Sequence, residues 1–351
     1  MADKKYGIGI IGFGGQGNCH RWWIAQRDDA EIIGIYDIAE ARVEYAKENG
    51  IRTYASREEL LNDDKIDIVV VATPNDVHKE IAIDAMAHGK NVVCEKPVAM
   101  NYAELEEMIA ASEKYGKLFT VGQNRRWDPD FLTMKKIFDD NLLGKVFQIE
   151  SRVHGSRGIP GDWRNKKAHG GGMVFDWGIH LVDQMLMMMG DRKLVSVYNR
   201  LTNVSNEEVD DGFKLLAVFD DGTEWHVEVG TNNFIELPRW YMLAENGSAM
   251  TGWHLDGKMV MVEDWADKDA VPVIAGVGLT KTMAPRDKDS IKEFPLPEIH
   301  SDLSEFYTNV FAAIEGKEEQ LITHNQLRRT FKLMEAMFES HNTNSVIKTE
   351  I

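Results

Sequence analysis

The sequence predicts an α/β protein in which a doubly wound parallel sheet is followed by a mainly antiparallel sheet. Between residues 6 and 122, short runs rich in Val and Ile alternate with amphipathic helical stretches, which is typical of a parallel sheet covered by helices. After residue 145, strands separated by Asp-Gly and Asn-Gly dipeptides predominate. The length of 351 residues favours two domains, and we place them at 1–124 and 125–351.

Five segments are predicted to be buried parallel strands: residues 6–12, 31–37, 67–73, 91–97 and 118–123. The helices between them have recognisable ends. Ser56 with Glu59 and Asn101 with Glu104 fit N-terminal capping boxes. Glycines stand where C-terminal caps are expected, at Gly50, Gly89 and Gly116.

The second half begins with a helix, because Asp128-Pro129 combines an N-cap with a proline at the first helical position. Seven strands are then expected: residues 145–153, 194–202, 212–220, 223–231, 239–245, 248–255 and 258–264. Residues 266–299, with four prolines, are predicted to be loop-like. A final helix, 323–341, begins at a capping box and is expected to pack back on the first domain.

Composition excludes several classes of partner. The chain has 57 acidic and 40 basic residues, for a net charge of -17, which argues against nucleic acid and anionic membranes. Its two cysteines suit a reducing compartment, and no apolar run reaches the ~18 residues of a membrane span. The apolar run near the start is short and broken by glycines, unlike a signal peptide. We therefore expect a cytoplasmic protein.

The segment "GFGGQG", residues 12–17, matches the G-x-G-x-x-G pattern of dinucleotide-binding loops and lies between a predicted strand and helix. Its members are Gly12, Phe13, Gly14, Gly15, Gln16 and Gly17. Asp37, 25 residues after Gly12, is placed to accept from a ribose 2′-hydroxyl and would repel a 2′-phosphate, so NAD is favoured over NADP. Arg42 would soften that preference. The alternative is a glycine-rich turn with a helix-capping Asp37.

The segment "ATPNDVH", residues 72–78, follows the next predicted strand along the chain. Ligands of open parallel sheets lie at the carboxyl ends of the strands. We therefore predict that Thr73, Pro74, Asn75 and His78 touch the cofactor. Asn75 alternatively serves only as a cap for the following helix.

Two further segments, "CEKPVA" at 94–99 and "GGGMVFDWGIH" at 170–180, complete a set of ordered motifs. Together with the glycine loop and "ATPNDVH", they resemble the glucose–fructose oxidoreductase / inositol dehydrogenase / rhizopine catabolism (Gfo/Idh/MocA) family. The resemblance implies a Rossmann domain followed by an α/β domain with an open, mostly antiparallel sheet. It also implies NAD(P)-dependent oxidation or reduction of a sugar, cyclitol or related polyol. A homo-oligomer, dimer or tetramer, would form through that sheet. The sequence departs from the family at Gln16 and at "CHRWW", residues 19–23.

The resemblance also implies a set of site residues. Lys96, Asp176 and His180 match the catalytic lysine, acid and histidine. The predicted cofactor contacts add Glu95, Lys96, Gln123, Trp163 and Arg164 to the glycine loop, Asp37 and the 73–78 group. The predicted substrate contacts are Lys96, Arg125, Arg126, Trp127, His154, Asp176 and His180.

These residue types suit alcohol oxidation. His180, with an ordinary pKa of about 6.5, is the natural base for the hydroxyl proton. Asp176, one turn earlier on the same predicted helical face, would hold the substrate hydroxyl or orient the imidazole. Lys96 would hydrogen-bond the reacting oxygen. The alternative is a structural i,i+4 pair on a helix. Asp183 is expected to be structural, pairing with a basic residue of the tail.

No metal is expected, because the histidines and acids near residue 176 form no compact ligand motif. Two other functions stay open at this point. A glycosidase would use the same oxidation transiently, at C3 of a glycoside, before elimination. A non-catalytic dinucleotide or sugar sensor would need no proton relay, so the combination of Lys96, Asp176 and His180 argues against it.

Overall fold

The computed structural model describes residues 5–266, 286 and 288–351, and it opens with a five-stranded parallel sheet. Its strands are β1 (Tyr6–Ile11), β2 (Ala30–Tyr36), β3 (Ile68–Val71), β4 (Asn91–Cys94) and β5 (Phe119–Val121). The strand order is β2-β1-β3-β4-β5. Every residue of β1 and β3 is buried, as their apolar composition predicts. The order reverses beside β1, which opens a crevice at the carboxyl ends of β1 and β3.

Helices cover both faces of this sheet: α1 (Gly15–Ile24), α2 (Glu40–Glu48), α3 (Arg57–Leu61), α4 (His78–Ala87) and α5 (Tyr102–Tyr115). The predicted N-caps form, although the Glu59 and Glu104 carboxylates accept from the N–H groups of Ala55 and Met100, one residue before each cap, so the reciprocal bond of a capping box is not made. The Glu59 backbone N–H donates to Ser56 Oγ at 3.0 Å, and the Glu104 N–H donates to Asn101 Oδ1 at 2.9 Å. Gly116 closes α5 in the left-handed region, with φ of 61°. The doubly wound parallel sheet is confirmed.

The second sheet has nine strands among the described residues: β6 (Val146–His154), β7 (Leu194–Thr202), β8 (Gly212–Phe219), β9 (Glu224–Gly230), β10 (Trp240–Ala244), β11 (Gly247–Thr251), β12 (Lys258–Val262), β13 (Ile291–Phe294) and β14 (Ile347–Lys348). Their order is β13-β12-β11-β10-β6-β9-β8-β7-β14. All neighbours are antiparallel except β6 and β9. The open, mostly antiparallel sheet is therefore confirmed.

One part of the loop prediction for 266–299 is wrong. Residues 291–294 form β13, which pairs with β12 so that Met259 lies opposite Phe294. Four residues flanked by loop are too few to show strand periodicity. Residues 267–285 and 287 of the predicted loop, including the prolines at 272 and 285, lie outside the described residues.

One face of the antiparallel sheet packs on helices α6 (Pro129–Asp139), α7 (Ile179–Met189) and α9 (His324–Thr343). Trp225, Val227 and Val229 alternate toward that buried face. The opposite face is mixed, with exposed Phe147 and Leu216 among charged side chains. Among the described residues, no helix combines the length and apolar composition needed to cross a bilayer.

Two helices join the halves. Helix α8 (Ser304–Ile314), absent from the sequence prediction, stacks Phe311 on Tyr6 of β1 with ring centroids 4.4 Å apart. Helix α9 begins at the predicted capping box of Thr323, and its Arg328 pairs with Glu106 of α5 at 2.7 Å. The tail therefore contacts the parallel-sheet half of the molecule.

Candidate active site

A cleft of about 1540 Å³ lies at the carboxyl ends of the parallel strands, facing the segment that precedes α7. The volume exceeds the roughly 300–1,000 Å³ of an ordinary small-molecule pocket, so it can hold a dinucleotide together with a substrate. Most predicted site residues line it: Gly12, Gly14, Gly15, Gln16, Asp37, Thr73, Pro74, Asn75, Glu95, Lys96, Arg125, Trp163, Arg164, Asp176 and His180.

The glycine loop has separate packing and access positions. A Cβ added at Gly17 would lie 2.1 Å from the Gly12 carbonyl oxygen, and one added at Gly12 would lie 2.5 Å from the Ala72 oxygen. A Cβ at Gly14 would meet no atom of the described residues within 4 Å. Gly12 and Gly17 therefore let helix and strands approach, whereas Gly14 leaves space for a ligand. Within the described part of the chain, no side chain caps the N-terminus of α1, so its backbone N–H groups suit a pyrophosphate.

Asp37, which directly follows β2, accepts a hydrogen bond from this loop and stabilises it. Its Oδ2 accepts from the Phe13 N–H at 2.6 Å, and its Oδ1 accepts from the Ala39 N–H at 2.8 Å. The carboxylate still borders the cleft, which Arg42 also lines. The Phe13 ring is buried beneath the loop and does not line the cleft, because Phe13 is 1% exposed.

Asn75 ties the two halves together at the cleft. Its Nδ2 donates to the Gly170 carbonyl at 2.9 Å, and its side chain makes no cap to the following helix. Thr73 contributes a buried hydroxyl oxygen that has no hydrogen-bond partner among the described residues. This hydroxyl is available to a ligand that enters beside β3.

Lys96 and Asp176 form the charged centre of the cleft. Lys96 Nζ donates to the Asp176 backbone oxygen at 3.0 Å and to Oδ1 at 3.2 Å, and Arg164 Nε donates to the same Oδ1 at 3.3 Å. Burial opposes ionisation of Asp176, but the two cations outweigh it and lower the carboxyl pKa. Burial lowers the pKa of Lys96, against the pull of Asp176 and Glu95.

The backbone around Asp176 is not the regular helix that the sequence predicted. Residues Val174–Gly178 form a π-helical turn before α7 begins at Ile179. Asp210 fixes this turn, since its Oδ2 accepts from the Val174 N–H at 2.8 Å and its backbone oxygen from the Met173 N–H. The wider turn changes the i,i+4 spacing of Asp176 and His180, and such turns occur frequently at functional sites. Asp210 lies 36 residues from its partner, so no local pattern indicated it.

His180 borders the cleft at the start of α7 and is 4% exposed. Burial lowers its pKa well below the ordinary value, and the charges of Lys96, Arg125 and Arg239 act in the same direction. The imidazole is therefore neutral near pH 7 and able to accept a proton. Its Nδ1 atom is buried without a hydrogen-bond partner among the described residues. Asp176 accepts from Lys96 and Arg164, so it does not orient the imidazole in this structure.

Arg125 and Trp177 form a wall of the cleft that sequence reasoning only half identified. The Arg125 guanidinium lies 4.1 Å from the centroid of the Trp177 ring, and both residues line the cleft. Trp177 was missed, although it stands inside the "FDWGIH" segment. A planar cation stacked on an indole gives a rigid surface for a polar ligand.

The residues that line the cleft do not include several of the predicted contacts: Gly17, His78, Gln123, Arg126, Trp127 and His154. His78 is fully buried, and its ring nitrogens bond to the carbonyls of Thr73 and Pro97. Gln123 is 1% exposed. His154 lies on β6 with Nε2 3.7 Å from Glu228.

Arg126 and Trp127 are held by other helices, Arg126 by α7 and Trp127 by α8. Arg126 makes a buried two-bond ion pair with Asp183, at 2.7 and 2.6 Å. This corrects the expectation that Asp183 pairs with a basic residue of the tail. Trp127 donates to Glu305 and packs edge-on to Phe306. Among the described residues, no group of three or more His, Cys, Asp or Glu is arranged to hold a metal.

Comparisons with known proteins agree with this architecture. The family model described as "Oxidoreductase family, NAD-binding Rossmann fold" matches residues 6–123, and the GFO/IDH/MocA C-terminal domain model matches residues 131–250. An uncharacterized oxidoreductase of Schizosaccharomyces pombe is 30% identical over 319 residues, which is 85% of each chain. The scyllo-inositol 2-dehydrogenase (NADP(+)) of Bacillus subtilis is 26% identical, over 98% of this chain and 96% of that protein.

A solved structure, that of an NAD-binding protein from Listeria innocua, is similar over the whole length. It has a TM-score of 0.94 and 42% sequence identity, and the match covers 99% of this chain and 100% of that one. Family models cover both halves, and the relatives share both. The chain belongs to the Gfo/Idh/MocA family of oxidoreductases and carries its NAD-binding Rossmann domain.

Proposed function

We propose that the protein is an NAD-dependent dehydrogenase that interconverts a secondary alcohol and a ketone on a sugar, cyclitol or related polyol. One observation carries the proposal: the Lys96–Asp176 ion pair and the neutral His180 face one cleft that also contains the glycine loop. A structural ion pair needs no cleft, and a sensor needs no proton acceptor beside a dinucleotide loop. The named inositol dehydrogenase among the relatives supports the substrate class.

The cleft suits a nicotinamide dinucleotide. The backbone N–H groups at the N-terminus of α1 would bind the pyrophosphate, which the free space beside Gly14 would admit. Asp37 would accept a hydrogen bond from a hydroxyl of the adenine-side ribose. The Asp37 carboxylate would repel a 2′-phosphate, which supports NAD as the cofactor. Two facts favour NADP instead: one relative is named as NADP-linked, and Arg42 also lines the cleft. The affinities for NAD and NADP should therefore be compared. When bound, the nicotinamide supplies the hydride acceptor or donor.

The side chains then divide the remaining chemistry. In the oxidation, His180 accepts the hydroxyl proton, because burial and neighbouring cations keep its imidazole neutral. Lys96 donates a hydrogen bond to the reacting oxygen and stabilises the negative charge that develops there. Asp176 holds the Lys96 ammonium group in place and accepts from a substrate hydroxyl. Arg164 secures the Asp176 carboxylate from the other side.

The open face of the antiparallel sheet supports a second proposal, a homo-oligomer. Phe147 is 47% exposed on β6 and Leu216 is 36% exposed on β8. Large apolar side chains on a sheet face are covered in many oligomers. Sedimentation velocity tests this: a dimer or tetramer is expected, and a monomer at micromolar concentration would contradict it.

The function is tested by mixing the purified protein with NAD or NADP and a panel of sugars, cyclitols and glycosides. Reduced-nicotinamide absorbance is followed while samples are analysed for released aglycone. Net reduction with a cyclitol or sugar is the expected result. Aglycone release without net reduction would instead indicate a glycosidase with a transient oxidation. Cofactor binding without any turnover across the panel would contradict a dehydrogenase of this substrate class.

A further inference from the structure

One buried histidine that the proposed chemistry does not use links the cofactor helix to the end of β4 and to α8. His20 lies on α1, within the "CHRWW" segment where the sequence departs from the family, and is 1% exposed. Its Nε2 lies 2.7 Å from Glu95 Oε1, and its Nδ1 lies 2.6 Å from the Tyr307 hydroxyl. Glu95 and Tyr307 are also buried. Both distances are short for hydrogen bonds to nitrogen.

The direction of these hydrogen bonds follows from Tyr307. Burial, and then the charge of Glu95, raise the pKa of its phenol well above the ordinary value, so the hydroxyl keeps its proton. In the neutral imidazole, Tyr307 donates to Nδ1, which places the ring proton on Nε2. His20 then donates from Nε2 to the Glu95 carboxylate. Tyr307 thus sets the tautomer of the His20 ring, and His20 sets the position of the Glu95 carboxylate.

The Glu95 carboxylate packs against Gly122, where any larger residue would place its Cβ too close to the carboxylate. A Cβ added at Gly122 would lie 2.6 Å from Glu95 Oε1. From the residues that the structure describes, the other oxygen, Oε2, receives only one long hydrogen bond, from the Lys96 N–H at 3.3 Å. An ionised carboxylate oxygen accepts two hydrogen bonds, so Oε2 has capacity for a further donor.

Glu95 also stands at a defined point along the cleft. On one side is Gln16 of the glycine loop, whose Nε2 lies 3.4 Å from Glu95 Oε1. On the other side is Lys96, which faces Asp176 at the reacting end. The part of a dinucleotide that joins its phosphates to its nicotinamide is a ribose, and ribose hydroxyls donate to carboxylates.

We propose that His20 and Tyr307 are positioning residues that hold the Glu95 carboxylate as the acceptor for the hydroxyls of the nicotinamide-side ribose. This inference rests on the proposed function, since the ribose belongs to the dinucleotide. It gives each ribose its own carboxylate: Asp37 at the adenine end and Glu95 at the nicotinamide end. It also makes α8, which lies outside the parallel-sheet half, part of the support of the cofactor site.

Two substitutions of one residue form a matched pair. In H20Q, the side-chain amide nitrogen reaches the position of Nε2 and can still donate to Glu95. In H20N, the shorter amide reaches only the position of Nδ1, so it can bond Tyr307 but not Glu95. A third variant, G122A, acts without touching His20, because the easiest relief of its clash is movement of the Glu95 carboxylate.

Calorimetric titration of the full chain with ADP, ADP-ribose and NAD tests the proposal without turnover. ADP ends at the pyrophosphate, whereas ADP-ribose and NAD carry the second ribose. H20N and G122A are expected to bind ADP like the wild type and to bind ADP-ribose and NAD roughly tenfold or more weakly, the loss of one charge-assisted hydrogen bond. H20Q is expected to bind all three within about threefold of wild type by the same reasoning.

The outcomes separate the two levels of the argument. Unchanged ADP-ribose affinity in G122A and H20N would overturn the inference and leave the proposed function intact. A parallel loss of ADP affinity would also overturn it, because the substitutions would then disturb the glycine loop itself. Failure of the wild type to bind any of the three ligands would overturn the proposed function and the inference with it. If H20N does not fold, G122A decides alone.

Discussion

The glycine loop at residues 12–17 and the proposed catalytic segment at residues 172–180 border the same cleft but are built in opposite ways. The loop is held mostly by its own neighbours: Gly17 packs on the Gly12 carbonyl five residues earlier, and Asp37 follows at the end of the next strand. The catalytic segment is held by distant residues, with Asp210 on its backbone and Lys96 on Asp176. The proposed cofactor-binding loop is therefore built from residues close in the chain, whereas the proposed proton-transfer residues are brought together by the tertiary fold.

The largest effect is expected at the catalytic segment. H180A removes the proposed base, and we expect kcat to fall by roughly 10²–10⁴-fold while NAD still binds. The pH dependence of the residual rate should also change, because its titrating base is gone. Steady-state kinetics and NAD titration measure both quantities. Near-wild-type kcat with an unaltered pH profile would show that the base lies elsewhere.

The second prediction divides the glycine loop into its two kinds of position. G17A places a Cβ 2.1 Å from a backbone oxygen, and we expect it to lower the free energy of unfolding by roughly 1–3 kcal/mol or more. In G14A, the matched control, the added Cβ meets no atom of the described residues within 4 Å, so the variant should keep its stability and bind NAD more weakly. Urea unfolding and NAD titration distinguish them. Equal stability losses in both variants would contradict the separation of packing from access.

The third prediction concerns Asp210, the remote support of the catalytic segment. Burial raises its pKa to about 6, so the folded protein favours the protonated form. The stabilisation from this group is therefore fully present below the ordinary pKa of 3.8 and is lost as pH rises through about 6. D210N has no charge to bury and should gain stability relative to wild type across that range, by at most about 3 kcal/mol.

Urea unfolding of wild type and D210N at pH 4 and at pH 7.5 measures this difference. The gain should appear only at the higher pH. A difference that does not depend on pH would show that Asp210 does not titrate in this range.

The smallest effect is expected at Asp37. D37A should weaken NAD binding by roughly tenfold, the loss of an acceptor for one ribose, and should leave NADP binding the same or tighter. Parallel titrations with NAD and NADP give the ratio. A ratio identical to wild type would show that the ribose contact is misassigned, and Arg42, which also lines the cleft, would be the next residue to vary.

What could be predicted from the sequence follows the same division. The glycine loop, the caps at Ser56 and Asn101, and the alternating face of β9 depend on residues close in the chain, and the structure has them where the sequence indicated. The π-helical turn could not be predicted, because the carboxylate that fixes it comes from 36 residues away. The Arg126–Asp183 ion pair could not be predicted for the same reason, because its two residues lie 57 positions apart. This pair engages the Arg126 guanidinium, which does not line the cleft.

Pattern alone also cannot separate a cleft side chain from its buried neighbour. Asn75 and His78 stand three residues apart in one motif, yet Asn75 lines the cleft and His78 is fully enclosed by the carbonyls of Thr73 and Pro97. Both side chains are polar and both follow a buried strand. The difference is set by tertiary packing at the start of α4.

The central claim is that Lys96, paired with Asp176, stabilises the reacting oxygen and is not needed to bind the cofactor. The most direct measurement is a comparison of wild type and K96M, using NAD titration and single-turnover reduction of NAD with the substrate found in the panel. The account predicts NAD affinity within a few fold of wild type and turnover reduced by roughly 10²-fold or more, as for loss of an oxyanion donor. Preserved turnover in K96M would contradict it.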